Sequence, residues 1–179
     1  HRVDRRQRQM CIRDRSIDEM YESFMQIGKV THKEKASKKL VKETKQNIER
    51  VKNSVPNDAK GQKVFMEISS EPEIYTAGKQ TFFDDMLTQL KAENSFSNLT
   101  GWQKVSKEDI IKQNPDLMIS TMGVSSSEYQ KMIRKRGGFS QIKAVQQNKI
   151  KAVNGDEISR PGPRIDDGLK KLKEAIYEQ

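Results

Sequence analysis

The sequence predicts an α/β fold built on a parallel sheet, and three features lead to it. From Lys63 onward, short apolar runs of strand length alternate with segments of helical period. Ahead of them, residues 32–54 form a long Lys-rich stretch that sets Ala36, Leu40, Thr44, Ile48 and Val51 at steps of three and four. Clusters of Pro, Gly and Asn separate the segments and supply the turns.

Residues 1–15 carry six Arg and two Asp with no sustained apolar period, so they read as foreign to the rest of the chain or as a disordered basic arm. Ser16 and Glu19 have capping-box spacing and open a helix bearing Met20, Tyr21, Phe24, Met25 and Ile27, which Gly28 is expected to stop. The second helix, 32–54, sets Ala36, Leu40, Thr44, Ile48, Val51 and Val55 on one narrow stripe. Pro56-Asn57-Asp58 and Gly61 break it. KVFMEIS, 63–69, reads as a buried strand and the segment from Pro72 to Gly78 as a loop. A helix over 81–91 then presents Phe83, Met86, Leu87 and Leu90. Ser106 and Asp109 box the start of a short helix that Asn114-Pro115 ends before the strand DLMIST. Residues 126–136 are helical, Lys149–Val153 is a strand, and the last helix lines up Ile165, Leu169, Leu172 and Ile176. The chain thus divides into residues 1–15, a helical segment at 16–62, and an α/β lobe at 63–179.

Composition narrows the function. Hydrophobic and charged residues each make up 33%, which implies a modest core wrapped in solvated helix. The net charge is +9, but residues 1–15 hold +4 and residues 16–62 hold +3, leaving only +2 for the last 117. A nucleic-acid binder needs its basic face on the folded part, so a basic helical nucleic-acid-binding protein stands only as the alternative from another class. The single cysteine, Cys11, allows no internal disulfide and no cysteine metal site. His1 and His32 are too far apart to suggest a zinc centre. No stretch reaches the length of a membrane span, and no apolar run follows the basic start to mark an export signal.

Catalysis finds no support. Thr76-Ala77-Gly78-Lys79 departs from a phosphate loop, with Glu73 where the first glycine belongs and Gln80 after the lysine. No histidine follows His32, so Ser125-Ser126-Ser127 has no nominated base. Asp84 with Asp85, and Asp166 with Asp167, are neighbours that point different ways on a helix, and solvated faces explain them. The expectation is therefore no enzyme, no catalytic residue, no metal site and no cofactor. Parallel sheets bind ligands beyond the carboxyl ends of their strands, which directs attention to the loops 70–79, 121–125 and 154–163. In and beside them stand Tyr75, Trp102, Arg160 and Arg164, residues suited to flat ligands with hydrogen-bonding edges.

Four stretches, read in order, resemble the C-terminal half of the substrate-binding proteins for cobalamin, ferric siderophores and haem: the 32–54 helix; KVFMEIS-SEPEIYTAGKQTFFDDML; GWQKVSKEDIIKQNPDLMIST; and VQQNKIKAVNGDEISRPGPRIDDGLKKL. The resemblance covers residues 16–179 and implies one Rossmann-like lobe of a two-lobed protein, preceded by a long bridging α-helix. The other lobe would precede Ser16. Tyr75 then stands where such proteins place an aromatic against a corrin, and Trp102 matches a cleft tryptophan. Arg160, with Asp156 nearby, falls in a loop that meets ligand side groups. Glu108 matches a surface glutamate that docks on the permease, although a first-turn glutamate is also favoured by the helix dipole alone. The implied role is the extracytoplasmic solute-binding component of an ABC importer, periplasmic or held at the cell surface as a lipoprotein. It would be a monomer whose partners are the permease subunits and a small ligand, with no nucleic acid. The aromatic pair favours a corrinoid, with a ferric siderophore or haem as the alternative; no His, Tyr or Met here is assignable as a haem-iron ligand.

Overall fold

The computed structural model describes residues 15–57, 59, 61–70 and 72–178, so what the sequence suggests for residues 1–15 lies almost wholly outside the described residues. Two helices come first, α1 (Ile17–Val30) and α2 (Glu34–Asn53). Strand β1 (Lys63–Glu67), the short strand β2 (Tyr75–Ala77) and α3 (Phe82–Gln89) come next, then β3 (Glu93–Asn94), β4 (Trp102–Lys104) and α4 (Lys107–Gln113). The chain ends with β5 (Leu117–Ser120), α5 (Ser126–Lys135), a 3-10 turn (Phe139–Gln141), α6 (Lys143–Gln146), β6 (Ile150–Ala152), α7 (Gly155–Ile158) and α8 (Ile165–Tyr177).

Four strands form a wholly parallel sheet in the order β3-β1-β5-β6. Both faces are covered, which is why the strands are continuous apolar runs rather than alternating ones. Val64, Met66, Leu117 and Ile119 pack with α1, α3 and α8 through Met20, Phe83, Met86, Leu169 and Leu172. Phe65, Met118 and Ile150 face the other way, onto Ile110, Tyr129, Ile133 and Phe139. The result is a three-layer α/β/α lobe. From β1 the chain passes to β3 on one side and then to β5 on the other, so a topological switch point opens between β1 and β5.

Several local expectations need correction. Gly28 does not stop α1, which runs on to Val30. It is buried instead where the helices meet, since a Cβ there would lie 2.0 Å from Ser37 Oγ. The α2 stripe packs only in its later half: Thr44, Ile48 and Val55 are buried, Leu40 is half-buried and Ala36 is exposed. Asn47 fastens that half to α8 by donating to Asp166 (2.7 Å). The segment read as a loop before Gly78 contains β2, which pairs antiparallel with β4 in a second, two-stranded sheet.

Candidate functional site

The carboxyl ends of the central strands meet at Glu67, the last residue of β1 and fully buried. A buried carboxylate needs partners, and it has three contacts: Tyr129 Oη donates at 2.7 Å, and Arg136 donates through Nη1 at 2.8 Å and Nη2 at 2.5 Å. Tyr129, Ile133 and Arg136 succeed one another at steps of four and three, so one side of α5 and its end faces the carboxylate. Burial, reinforced by the Glu67 charge, holds the Tyr129 hydroxyl well above its ordinary pKa. The main chain at this point gathers two loops. The Glu67 carbonyl accepts from the Thr121 N–H (2.9 Å), and the Ile68 N–H donates to the Tyr75 carbonyl (3.0 Å).

Tyr75 thereby opens β2 from the end of β1. In the β2/β4 ladder Tyr75 lies opposite Lys104 and Ala77 opposite Trp102. Directly opposed residues and those two apart share a face of a strand pair, so Tyr75, Lys104 and Trp102 stand on one face. Tyr75 is 39% and Trp102 46% exposed, unusual for large aromatic side chains where most others are buried. The Trp102 ring is set edge-on against Phe83 (centroids 5.6 Å apart, planes at 88°). From below, Thr76 Oγ1 donates to the Met66 carbonyl (2.8 Å), and Asn94 Nδ2 donates to the Ala77 carbonyl (2.9 Å) and to Asp84 (3.0 Å). Gly78 comes next because a Cβ there would lie 2.5 Å from the Leu99 carbonyl oxygen. Lys104 is ion-paired and hydrogen-bonded to Glu73, which raises its pKa.

The loop after β6 supplies the other predicted pair. Asn154 caps α7, and Arg160 Nη2 meets Asp156 Oδ1 at 2.8 Å. They border an open cleft of about 660 Å³. Its basic lining is Arg160, Arg164, Lys170 and Lys171. Asp156, Glu157, Asp167 and Glu174 balance them, with Lys171 on Glu157 at 2.5 Å. The predicted residues therefore fall into two groups, an aromatic face and a charge-balanced cleft. Glu108 belongs to neither and sits exposed in the first turn of α4.

Other sequence candidates resolve into structure. Asp85 accepts from the Ile17 N–H (2.8 Å) and Asp84 from Asn94, so neither merely decorates a solvated helix face, and the same holds for Asp166 with Asn47. Ser125 caps α5 in a capping box, and Ser126 Oγ accepts from the Ala152 N–H (2.9 Å). Among the described residues no three His, Cys, Asp or Glu side chains form a metal-holding group. No helix among them is long and apolar enough to cross a membrane. Sequence reasoning missed Glu67, Lys104 and Glu73. The one available signal for Glu67 was an acid inside an apolar strand; its partners lie 62 and 69 residues away.

A family model described as "Periplasmic binding protein" matches residues 6–156. The chain is 37% identical over 164 residues to the uncharacterized ABC transporter substrate-binding lipoprotein YvrC of Bacillus subtilis, covering 90% of this chain and 51% of that protein. It is 23% identical over 170 residues to a cobalamin-binding protein of Halobacterium salinarum, covering 90% of this chain and 45% of the relative. A crystal structure of a possible iron-binding (periplasmic solute-binding) protein from Staphylococcus epidermidis superposes with a TM-score of 0.89 at 59% identity. It covers 91% of this chain and 63% of that one. The chain thus spans about half the length of the two relatives compared by sequence.

Proposed function

The chain belongs to the periplasmic binding protein family, and from that premise we propose that it is the ligand-binding C-terminal lobe and bridging helix of an extracytoplasmic solute-binding protein serving an ABC importer, with a corrinoid as ligand. In this reading a second lobe forms the opposite wall of the cleft, and α2 spans the two. The protein binds, closes and presents its ligand to a membrane permease, and performs no chemistry. Glu108, exposed on α4, is the permease-docking residue, and the protein acts as a monomer held outside the membrane. The similarity to YvrC, named a substrate-binding lipoprotein, supports that location.

The observation that carries the ligand class is the exposed face of Tyr75 and Trp102 beside the switch point. Two aromatics on one rigid strand pair offer flat apolar area at little entropic cost, which suits a macrocycle with amide edges. Asp156 and Arg160 supply hydrogen bonds to those edges. The balanced charges of the cleft beside Arg160 fit an uncharged ligand better than a multiply anionic one. A second reading, a ferric chelate, is favoured by the 59% identical Staphylococcus epidermidis structure, described as a possible iron-binding protein.

Trp102 is the sole tryptophan, so its emission reports this face alone. Titration with cyanocobalamin, haem and a ferric siderophore, corrected for ligand absorption, tests the assignment. Saturable quenching by cyanocobalamin is the expected result. Saturation by an iron chelate alone would move the assignment to the second reading, and no response to any of the three would overturn both.

A further inference from the structure

The aromatic face carries one cation, and the fold neutralises it. Lys104 stands directly opposite Tyr75 and two residues from Trp102 on the same face. Its side chain is 60% exposed, and its ion-pair partner Glu73 comes from the loop that leads into β2. The same arrangement recurs in the loop after β6, where Asp156 pairs with Arg160 four residues on. Both cations suited to meeting a ligand's edges are thus supplied with carboxylates from their own loops. A bare ammonium on this face would draw carboxylate or catecholate edges toward it. With Glu73 in place, the ammonium is already paired, and an anionic edge must compete with Glu73 for it.

We propose that Glu73 sets the charge preference of this face: by neutralising Lys104 it keeps Tyr75 and Trp102 receptive to planar ligands with uncharged edges and disfavours anionic ones. This rests on the ligand site assigned under Proposed function and goes beyond it by naming the residue that discriminates. Exposed ion pairs are modest, so removing the Glu73 charge shifts the ratio of anionic to neutral affinity by about two- to fivefold.

The test uses the 179-residue chain as wild type, Glu73→Gln, Lys104→Met and the double variant, at low salt. Two probe pairs differ in charge: cyanocobalamin against its dicarboxylic acid hydrolysis product, and a ferric trihydroxamate against a ferric tricatecholate. Dissociation constants come from Trp102 emission. In Glu73→Gln the anionic member of whichever pair binds gains on its neutral counterpart. Lys104→Met moves the ratio the other way, and the gain vanishes in the double variant. An unchanged ratio in Glu73→Gln, or a gain that survives loss of Lys104, overturns the proposal. The ligand reading is judged separately by wild type. Binding to the ferric pair alone refutes the corrinoid while still testing Glu73 on that pair, and binding to none of the four overturns both.

Discussion

At the residue scale, Glu67 decides more than any side chain the sequence singled out. Its carboxylate lies fully buried at the end of an apolar strand and holds both ends of α5 through Tyr129 and Arg136. Removing one partner of such a pair leaves the other charge stranded, so Glu67→Gln is expected to cost about 3–5 kcal/mol. Tyr129→Phe removes one neutral donor and is expected to cost about 1 kcal/mol. Urea unfolding of both variants checks the order; equal losses would mean that the Arg136 pair adds nothing. Tyr75 and Trp102 were singled out as aromatics of the loop regions and by the family resemblance, and their part in ligand binding is what the titration tests. Glu67, Glu73 and Lys104 were not singled out, because each acquires its role from a partner distant in the chain and brought near by folding.

At the element scale, the cues that survive are those written within a few residues. The Ser106/Asp109 box opens α4 as its spacing predicts, and Asn114 ends that helix in a left-handed conformation (φ 46°). The β2/β4 pair was illegible, since strands of three residues have no period to read and each pairs with a segment remote in sequence. Edge protection was equally hidden. Strand β6 is an outer strand, and its open side is met by Gln130 Nε2 donating to the Ile150 carbonyl (3.1 Å) and Ser126 Oγ accepting from Ala152. Both side chains occupy backbone groups that could otherwise recruit another strand. Gly28 shows how a residue type can be noticed and its reason misread. The helix continues through it, and the glycine is needed for the α1–α2 approach. Gly28→Ala is expected to destabilise the protein by about 1–3 kcal/mol, as overpacking does. Gly137→Ala, where a Cβ meets nothing within 4 Å, is the matched control and should stay within about 0.5 kcal/mol. Thermal unfolding of the two distinguishes a packing requirement from a general cost of losing glycine.

At the scale of the whole molecule, the order of strands and helices was enough to predict a parallel sheet and to direct attention to its carboxyl end. Parallel strands need long crossover connections, usually helical, and the alternation of segments along the chain supplies them. The chain is not evenly covered: Ile27 and Val30 at the far end of α1 are 53% and 80% exposed, while in the lobe built on the sheet the exposed large apolar side chains are Tyr75 and Trp102. Open clefts flank that lobe, and two of them bear on where a ligand is met. One, of about 660 Å³, adjoins Arg160 at the carboxyl end. The other, of about 480 Å³, lies between Gln62, Lys149 and Tyr177, where strands β1 and β6 begin. The proposed function requires ligand to be met at the carboxyl end, on the face of Tyr75 and Trp102. Chemical-shift mapping of the isotope-labelled chain during titration with cyanocobalamin tests this most directly. The Trp102 indole N–H, the amide of Tyr75 and those of 121–125 and of the non-proline residues of 154–163 are expected to move together, while Gln62, Lys149 and Tyr177 stay still. Shifts concentrated at Gln62, Lys149 and Tyr177, with Trp102 unmoved, would contradict it.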